Sequence, residues 1–286
     1  MCSDLGATMI QVLSFGAGVQ STTLLLMSCK GILPPLDYAI FADTQWEPAE
    51  VYTHLDWCEK YAADHGIKVA RVTTGNLRDD YTPTHRNDGG RFMAIPLYVI
   101  QENGKKGMVR RQCTMRYKIE PIERYMRREI MGLKPRQRAP KEVVMQQWMG
   151  ISWDEIQRAK ASSDKWKEHI FPFCNLPGDY FPSPVKRHQC IEWLEANYPD
   201  IHVPRSACIG CPYHTNEEWR RIKESPEEWA DAVEFDRSIR HGTNMDGEAF
   251  IHRSCKPLED VDLRSDVEKG QNVFGWNDEC DGMCGV

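Results

Sequence analysis

The stretch VLSFGAGVQSTTLLLM, residues 12–27, constrains the fold more than any other part of the chain. An apolar run leads into three small residues, Gly16, Ala17 and Gly18, which are followed by hydroxyl-bearing residues and a leucine-rich run. This order predicts a strand, a tight bend and a helix. The bend is either a plain turn or a phosphate cradle, because glycines let backbone N–H groups approach phosphate oxygens at a helix N-terminus.

The first 75 residues alternate between strand and helix patterns. Strands are predicted at 9–13, 36–44 and 67–74, with helices between them at 21–29 and 49–66. Such alternation is typical of an α/β fold, in which a parallel twisted sheet carries helices on both faces. In an open sheet of this kind, ligands bind beyond the carboxyl ends of the strands.

The rest of the chain is more varied. The patterns predict a loop-rich stretch at 79–106, a helix at 117–133, a strand at 142–150 and helices at 189–197, 217–224 and 226–239. We therefore expect two regions. A nucleotide-binding α/β domain would span residues 1–215, and a helical extension with an acidic, cysteine-containing tail would span 216–286.

The composition is that of an ordinary soluble globular protein, with 41% hydrophobic and 27% charged residues. No apolar run approaches the roughly 20 residues that a membrane-spanning helix needs. The opening MCSDLGATMI lacks the basic stretch and the long apolar run of a signal peptide. These features predict a cytoplasmic protein without membrane association.

One basic segment stands out from the net charge of −6. Residues 105–141 contain thirteen lysines and arginines against three acids, Glu120, Glu123 and Glu129. The segment is either a solvated helix face or a patch for phosphates, of a small ligand or of a polynucleotide.

Eleven cysteines are unusual for a chain expected in a reducing compartment. Clustered cysteines there bind metal or perform catalysis more often than they form structural disulfides. Cys208 and Cys211 form a CxxC motif, which is compatible with a redox pair, half of a zinc site or two ligands of an iron–sulfur cluster.

The loop SFGAGVQST, residues 14–22, resembles the pyrophosphate-binding loop of the PP-loop ATPases. The similarity is greatest to the branch that contains the phosphoadenosine phosphosulfate (PAPS) reductases, where the loop reads SFSGGKDST or similar. In this chain Val19 replaces the lysine and Gln20 replaces the aspartate.

Three further segments resemble motifs of the same family, in the same order. FADTQWEP at 41–48 is similar to DTG-x-E-x-P, and RRQCTMRYKIEPIERYM at 110–126 is similar to R-x-C-x-x-x-K-x-x-P. GISWDEIQRAK at 150–160 is similar to G-x-R-x-x-E-x-x-R, with Ser152 at the position of the arginine. The resemblance spans residues 10–215.

The resemblance implies a sheet of the adenine-nucleotide alpha hydrolase-like type. ATP, or adenylyl-sulfate or PAPS, would lie across the strand ends with Mg²⁺. The implied nucleotide-binding residues are Ser14, Gly16, Ala17, Gly18, Gln20, Ser21, Thr22, Asp43, Arg111, Lys118 and Gly150. Asp43 and Arg158 are implied catalytic residues, although a helix N-cap is an equally simple role for Asp43.

The resemblance also implies a metal centre. Cluster-bearing adenylyl-sulfate reductases carry a cysteine pair near position 113 and a CxxC about eighty residues later, whereas this chain has only Cys113 at the first position. Our hypothesis is a [4Fe–4S] cluster held by Cys113, Cys190, Cys208 and Cys211, with Zn²⁺ as the competing occupant. A cluster held by three cysteines with one open iron is a further alternative.

The C-terminal NDECDGMCGV resembles the mobile ECG-x-H tail of cluster-free PAPS reductases, without its histidine. Cys280 and Cys284 are therefore candidate catalytic or sulfur-carrying residues. The simpler alternative is a frayed acidic end whose cysteines only pack.

Three functions follow as expectations. The first is sulfur transfer, in which ATP adenylates an acceptor and sulfur then displaces AMP. The acceptor would be tRNA or DNA held by residues 105–141. The second is reduction of adenylyl-sulfate or PAPS by a tail cysteine, and the third is a non-catalytic nucleotide-binding regulator. A sulfur- or electron-donor protein and a second copy of the chain are expected partners.

Overall fold

The computed structural model describes residues 9–81, 95–241, 247–265 and 268–269. Within these residues the chain forms eight strands: β1 (Ile10–Phe15), β2 (Tyr38–Ala42), β3 (Lys68–Val72), β4 (Tyr98–Ile100), β5 (Lys106–Met108), β6 (Met145–Met149), β7 (Lys167–Ile170) and β8 (Glu248–Phe250). The α-helices are α1 (Val19–Cys29), α2 (Ala49–Asp64), α3 (Glu120–Tyr125), α4 (Arg187–Asn197), α5 (Asn216–Glu224) and α6 (Pro226–Ser238).

Shorter helical turns complete the structure. π-helical turns cover Thr114–Ile119 and Met126–Ile130. The 3₁₀ turns are Asp79–Tyr81, Trp153–Arg158, Pro172–Cys174 and Leu258–Asp260.

The chain divides into two compact units that do not follow sequence order. The first contains Met1–Ala42, Glu50–Val72 and Ile122–Ser206, and the second contains Asp43–Ala49, Thr73–Pro121 and Ala207–Val286. Each unit is assembled from segments that are distant in the sequence. The domains predicted at 1–215 and 216–286 stay a prediction.

The first unit is built on a parallel sheet of five strands in the order β3-β2-β1-β6-β7. Alternate side chains of β1 enter different cores, as expected for a strand buried on both faces. Leu13 packs with residues of α1 and α2, whereas Val12 packs with Ile122 and Met126. The predicted α/β architecture, with helices on both faces of a parallel sheet, is confirmed.

The second unit has a core of its own around Trp46, Trp219 and Phe235. Its sheet is antiparallel, with the strand order β5-β4-β8. These strands fall partly in the stretch expected to be loop-rich, at 79–106. Each is only three residues long, which is too short for a readable alternation of polar and apolar residues.

None of the helices in the described ranges is long and apolar enough to cross a membrane.

Candidate functional site

The loop between β1 and α1 forms a tight, internally bonded bend. The Gly16 N–H donates to Ser21 Oγ at 3.2 Å, and Ser21 Oγ donates to the Gly18 carbonyl at 3.2 Å. Ala17 has a left-handed φ of +57°, which is costly for a residue with a Cβ. Gly18 caps α1 without a side-chain hydrogen bond. The first N–H groups of α1 therefore point out of the helix without a capping side chain, as an anion site requires.

Ser206 packs against both loop glycines. A Cβ added to Gly16 would lie 3.4 Å from Ser206 Oγ, and one added to Gly18 would lie 3.3 Å from Ser206 Cβ. The Ser206 hydroxyl is thus a further polar group beside the bend. Sequence reasoning missed it, because the only signal was its place two residues before Cys208.

Gly150 joins the loop from the end of β6. Strand register pairs Ser14 with Met149, which brings residue 150 beside the start of α1. A Cβ added to Gly150 would lie 2.9 Å from the Ser21 backbone nitrogen and 3.2 Å from Ser21 Cα. The glycine predicted here from resemblance therefore has a steric reason within the structure.

The loop lies where the strand order reverses. The strands run outward from β1 to β2 and β3 on one side, and from β6 to β7 on the other. This reversal makes the gap between β1 and β6 the topological switch point, where open α/β sheets bind ligands. Gly16 and Gly150 follow the two strands that border this gap.

Ser14 forms a polar pair inside the sheet. Gln147 Nε2 donates to Ser14 Oγ at 2.7 Å, while Gln147 Oε1 is buried without a hydrogen-bond partner in the described structure. A buried amide oxygen without a partner costs free energy.

Gln20 is held by a polar network rather than directed to an open site. Its Nε2 donates to Glu155 Oε2 at 3.2 Å and to Ser152 Oγ at 3.4 Å. Arg158 forms an ion pair with the same Glu155. Burial raises the pKa of Glu155, and the Arg158 charge partly opposes that shift. Arg158, which was expected to neutralise phosphate, thus already has a carboxylate partner. An aspartate at position 20, as the family's loop has it, would place a second carboxylate beside Glu155.

We expect Gln20→Glu to destabilise the first unit by about 1–3 kcal/mol near neutral pH, because it replaces a donor with a carboxylate beside Glu155. Urea unfolding measures the loss. The second variant Glu155→Gln should restore most of the stability in a double-mutant cycle. Additive losses would contradict the predicted contact.

Thr22 faces the interior instead of the loop. It is fully buried, and its hydroxyl lies 3.0 Å from His54 Nε2, which also contacts Cys58 Sγ at 3.3 Å. Its N–H donates to the Gly18 carbonyl at 2.9 Å. Thr22 therefore ties α1 to α2, and a direct phosphate contact by its side chain stays a prediction.

Buried histidines make stability depend on pH. Burial lowers the pKa of His54 to about 4, and burial likewise lowers the pKa of His252 in the second unit to about 4, from an ordinary 6.5. The unfolded chain therefore binds more protons between these values, so stability is complete above about pH 6.5 and falls towards pH 4. Each histidine accounts for at most about 3 kcal/mol of this pH-dependent change in the free energy of unfolding.

Urea unfolding at several pH values checks this prediction. His54→Gln should flatten the acid side of the profile, whereas His188→Gln, which changes an exposed histidine, should leave it unchanged. A His54→Gln profile parallel to that of the unmodified chain would contradict the assignment.

Asp43 is the first residue after β2 and belongs to the second unit. Its Oδ1 accepts a hydrogen bond from the Gln45 N–H at 2.7 Å, and Gln45 has a left-handed φ of +57°. The carboxylate thus stabilises the local turn. Its role towards a nucleotide or metal stays a prediction.

A pocket in the second unit collects the predicted cysteines. It encloses about 420 Å³ of empty space, part of it open to solvent. The lining residues are Thr44, Trp46, Leu77, Ile95, Pro96, Arg111, Cys113, Thr114, Lys118, Cys208, Gly210, Cys211, Pro212 and Tyr213. Three of the four proposed metal ligands therefore share one pocket with both predicted cations, Arg111 and Lys118.

The CxxC turn is held by short polar contacts. The Cys211 N–H donates to the Cys208 carbonyl at 3.0 Å, and His214 Nε2 donates to the same oxygen at 2.9 Å. Cys208 Sγ donates to Glu47 Oε1 at 3.3 Å and lies 3.3 Å from Thr44 Oγ1. Glu47 is buried. Sequence reasoning missed the contact between Glu47 and the Cys208 thiol, although Glu47 lies within the FADTQWEP motif.

Trp46 fixes the position of Gly210. The indole is 4% exposed, its Nε1 donates to Asp231, and its ring meets Phe235 edge-on with centroids 4.6 Å apart. A Cβ added to Gly210 would lie 2.0 Å from Trp46 Cη2. Only glycine fits this position of the CxxC turn.

One observation supports the metal hypothesis, and two others do not. Cys113, Cys208 and Cys211 line one pocket, yet no three His, Cys, Asp or Glu side chains of the described residues stand together in a metal-holding group. Cys190 packs in the core of the first unit, where burial raises its pKa to about 12 and the Thr23 hydroxyl partly offsets the shift. Its role as a ligand stays a prediction, without support from this position.

Cys280 and Cys284 lie outside the described residues, so their roles stay predictions.

In the basic segment, Arg127 donates to the Gln137 carbonyl and Arg128 donates to the Leu133 carbonyl. These bonds fix the loop 133–141. That loop exposes four cations: Lys134, Arg136, Arg138 and Lys141.

No protein-family model, no curated protein and no solved structure matches the chain.

Proposed function

We propose that the chain is a PP-loop enzyme of the PAPS reductase-like type, which binds ATP or an adenylyl nucleotide and transfers sulfur to an acceptor. The fold would be that of the adenine-nucleotide alpha hydrolases, with a cysteine-containing extension. The sequence resemblance at 14–22, 41–48, 110–126 and 150–160 motivates the proposal.

One observation supports it above the others: the small-residue bend lies at the switch point of a parallel sheet. The bend combines an uncapped helix N-terminus with the Ser21 hydroxyl and with Gly150, whose missing side chain leaves room for the turn. Backbone N–H groups at such a bend favour the charge of a pyrophosphate.

The chemistry follows from the charge that develops during adenylation. An acceptor oxygen attacks the α-phosphorus of ATP, and pyrophosphate leaves with increasing negative charge. The N–H groups at the start of α1 would stabilise that charge, with Mg²⁺ bound to the nucleotide, and the Ser21 hydroxyl would hold the bend in shape through its bonds to Gly16 and Gly18. Ser206 would add a hydroxyl to the same cradle.

The sulfur half of the reaction is assigned to the second unit. The donor set there, with three thiols in one pocket, fits a cluster held by three cysteines better than one held by four. Cys113, Cys208 and Cys211 would hold the group, which when bound would supply sulfide to the activated acceptor. Zn²⁺ at the same thiols is the competing occupant.

The acceptor is assigned to nucleic acid. Residues 134–141 expose four cations and contain no acid. Such a loop suits the phosphates of tRNA or DNA, and binding should weaken steeply with salt.

The test is release of pyrophosphate from ATP by anaerobically purified protein, with tRNA or DNA supplied as acceptor. We expect release that depends on the acceptor, and Cys208→Ser with Cys211→Ser should abolish sulfur transfer while nucleotide binding persists. Sulfite release from PAPS that is lost in Cys280→Ser would favour the reductase instead. Absence of ATP and PAPS binding in equilibrium dialysis would refute the proposal.

A further inference from the structure

We infer that the pocket of the second unit binds a small sulfur anion, such as hydrosulfide, against the guanidinium of Arg111 and the hydroxyl of Thr114. The identity of the anion rests on the proposed function, because hydrosulfide is a nucleophile that could displace AMP from an adenylated acceptor and so introduce sulfur. Anion binding itself rests on the geometry of the pocket.

Two donors of the pocket have no hydrogen-bond partner among the described residues. They are Nη2 of Arg111 and Oγ1 of Thr114, and both atoms are buried. Thr114 as a whole is only 7% exposed. Arg111 stacks over Tyr213 at 5.7 Å, and the described residues contain no carboxylate paired with it. Unsatisfied buried donors are costly, and an anion between them would remove that cost.

The charge balance also favours a single monovalent anion. Lys118 Nζ lies 3.9 Å from Glu47 Oε1, and the Glu47 side chain is 1% exposed. The buried carboxylate therefore offsets the Lys118 charge, which leaves the Arg111 charge for a ligand. A divalent anion would bring one charge more than the pocket balances, and burying it would be expensive.

The lining favours a polarizable anion over a strongly hydrated one. Apolar side chains such as Leu77, Ile95 and Pro96 form much of the wall, and the thiols of Cys113 and Cys211 add soft, weakly polar surface. Phosphate and sulfate would lose many hydrogen bonds with water here and regain few. Hydrosulfide loses fewer, and it is the form that can react with an activated acceptor.

Calorimetric titration of the reduced, full-length protein tests the inference without ATP or acceptor. Sodium sulfide at mildly alkaline pH, thiosulfate, phosphate and chloride are compared at equal ionic strength, with the iron and zinc content measured. We expect hydrosulfide to bind more tightly than phosphate and chloride. Arg111→Gln and Thr114→Val should each weaken sulfide binding about tenfold or more, the cost of one lost charged or buried hydrogen bond.

The neighbouring Arg110 provides the matched control. Arg110 is exposed, so Arg110→Gln removes the same charge one residue away and should leave sulfide affinity unchanged. If Arg111→Gln fails to fold, Arg111→Lys can replace it, because lysine retains the charge but lacks the paired N–H donors of the guanidinium. Thr114→Val is an independent test.

Several results would overturn the inference. They are equal affinity for all four anions, equal losses in Arg110→Gln and Arg111→Gln, and sulfide affinity that follows the iron content instead of residue 111. Intact ATP binding by a protein that fails to bind sulfide would overturn this inference alone, and the proposed nucleotide site would stand.

Discussion

We expect Gly150→Ala to weaken nucleotide binding at least about tenfold and to lower the free energy of unfolding by about 1–3 kcal/mol. The added methyl carbon would lie 2.9 Å from the Ser21 nitrogen and 3.3 Å from the Gln20 carbonyl carbon. Both are backbone atoms in the first turn of α1, so they cannot rotate away as a side chain would. The turn that presents the N–H groups would therefore have to move.

Gly107→Ala is the matched control for this prediction. A Cβ added to Gly107 meets no atom within 4 Å, and the residue lies in strand β5 without a left-handed φ. We expect wild-type ATP affinity from it in equilibrium dialysis. Unchanged affinity in Gly150→Ala as well would show that the start of α1 does not hold the phosphates.

The sequence predicted the features of the first unit that depend on neighbouring residues. The run of small residues at 16–18 predicted the bend, because a strand and a helix pattern stand directly on either side of it. Alternation of strands and helices in the first 75 residues predicted the parallel sheet. The strand order followed only from the structure, since pairing of β1 with β6 joins residues more than 130 positions apart.

The features that were missed depend on contacts between distant segments. Ser206 lies against Gly16 without any sequence pattern that marks it, and Glu155 holds Gln20, a contact that its place in the segment 150–160 does not reveal. The surroundings of Cys190 also depend on such contacts. Its place 18 positions before the CxxC made it a ligand candidate, and that role stays a prediction, while the structure shows that its helix carries the thiol into an apolar core.

We expect Gly210→Ala to have the largest effect on the second unit, with a loss of about 3 kcal/mol or more in the free energy of unfolding. The added Cβ would lie 2.0 Å from Cη2 of Trp46 and 2.7 Å from its Cζ2 and Cζ3. The indole cannot yield, because Asp231 holds its Nε1 and Phe235 packs against its ring. The CxxC turn must therefore move away from the pocket.

The movement should change the rate at which the thiols react, which can be measured without an activity assay. Cys208 is buried, so its alkylation in the folded, metal-free protein should be slow and should become at least about tenfold faster in Gly210→Ala. Peptide mapping by mass spectrometry separates Cys208 from Cys211 and Cys113. Unchanged alkylation together with unchanged unfolding would contradict the contact.

A second substitution decides whether the clash itself causes the loss. Trp46→Phe removes the far edge of the indole, which contains all three atoms nearest to the added Cβ. It also removes the hydrogen bond to Asp231, so alone it should destabilise the second unit. In the double variant the two losses should be less than additive by about 1–3 kcal/mol, since residues in direct contact couple. Strict additivity would mean that Gly210 is required for its backbone conformation rather than for the indole packed against it.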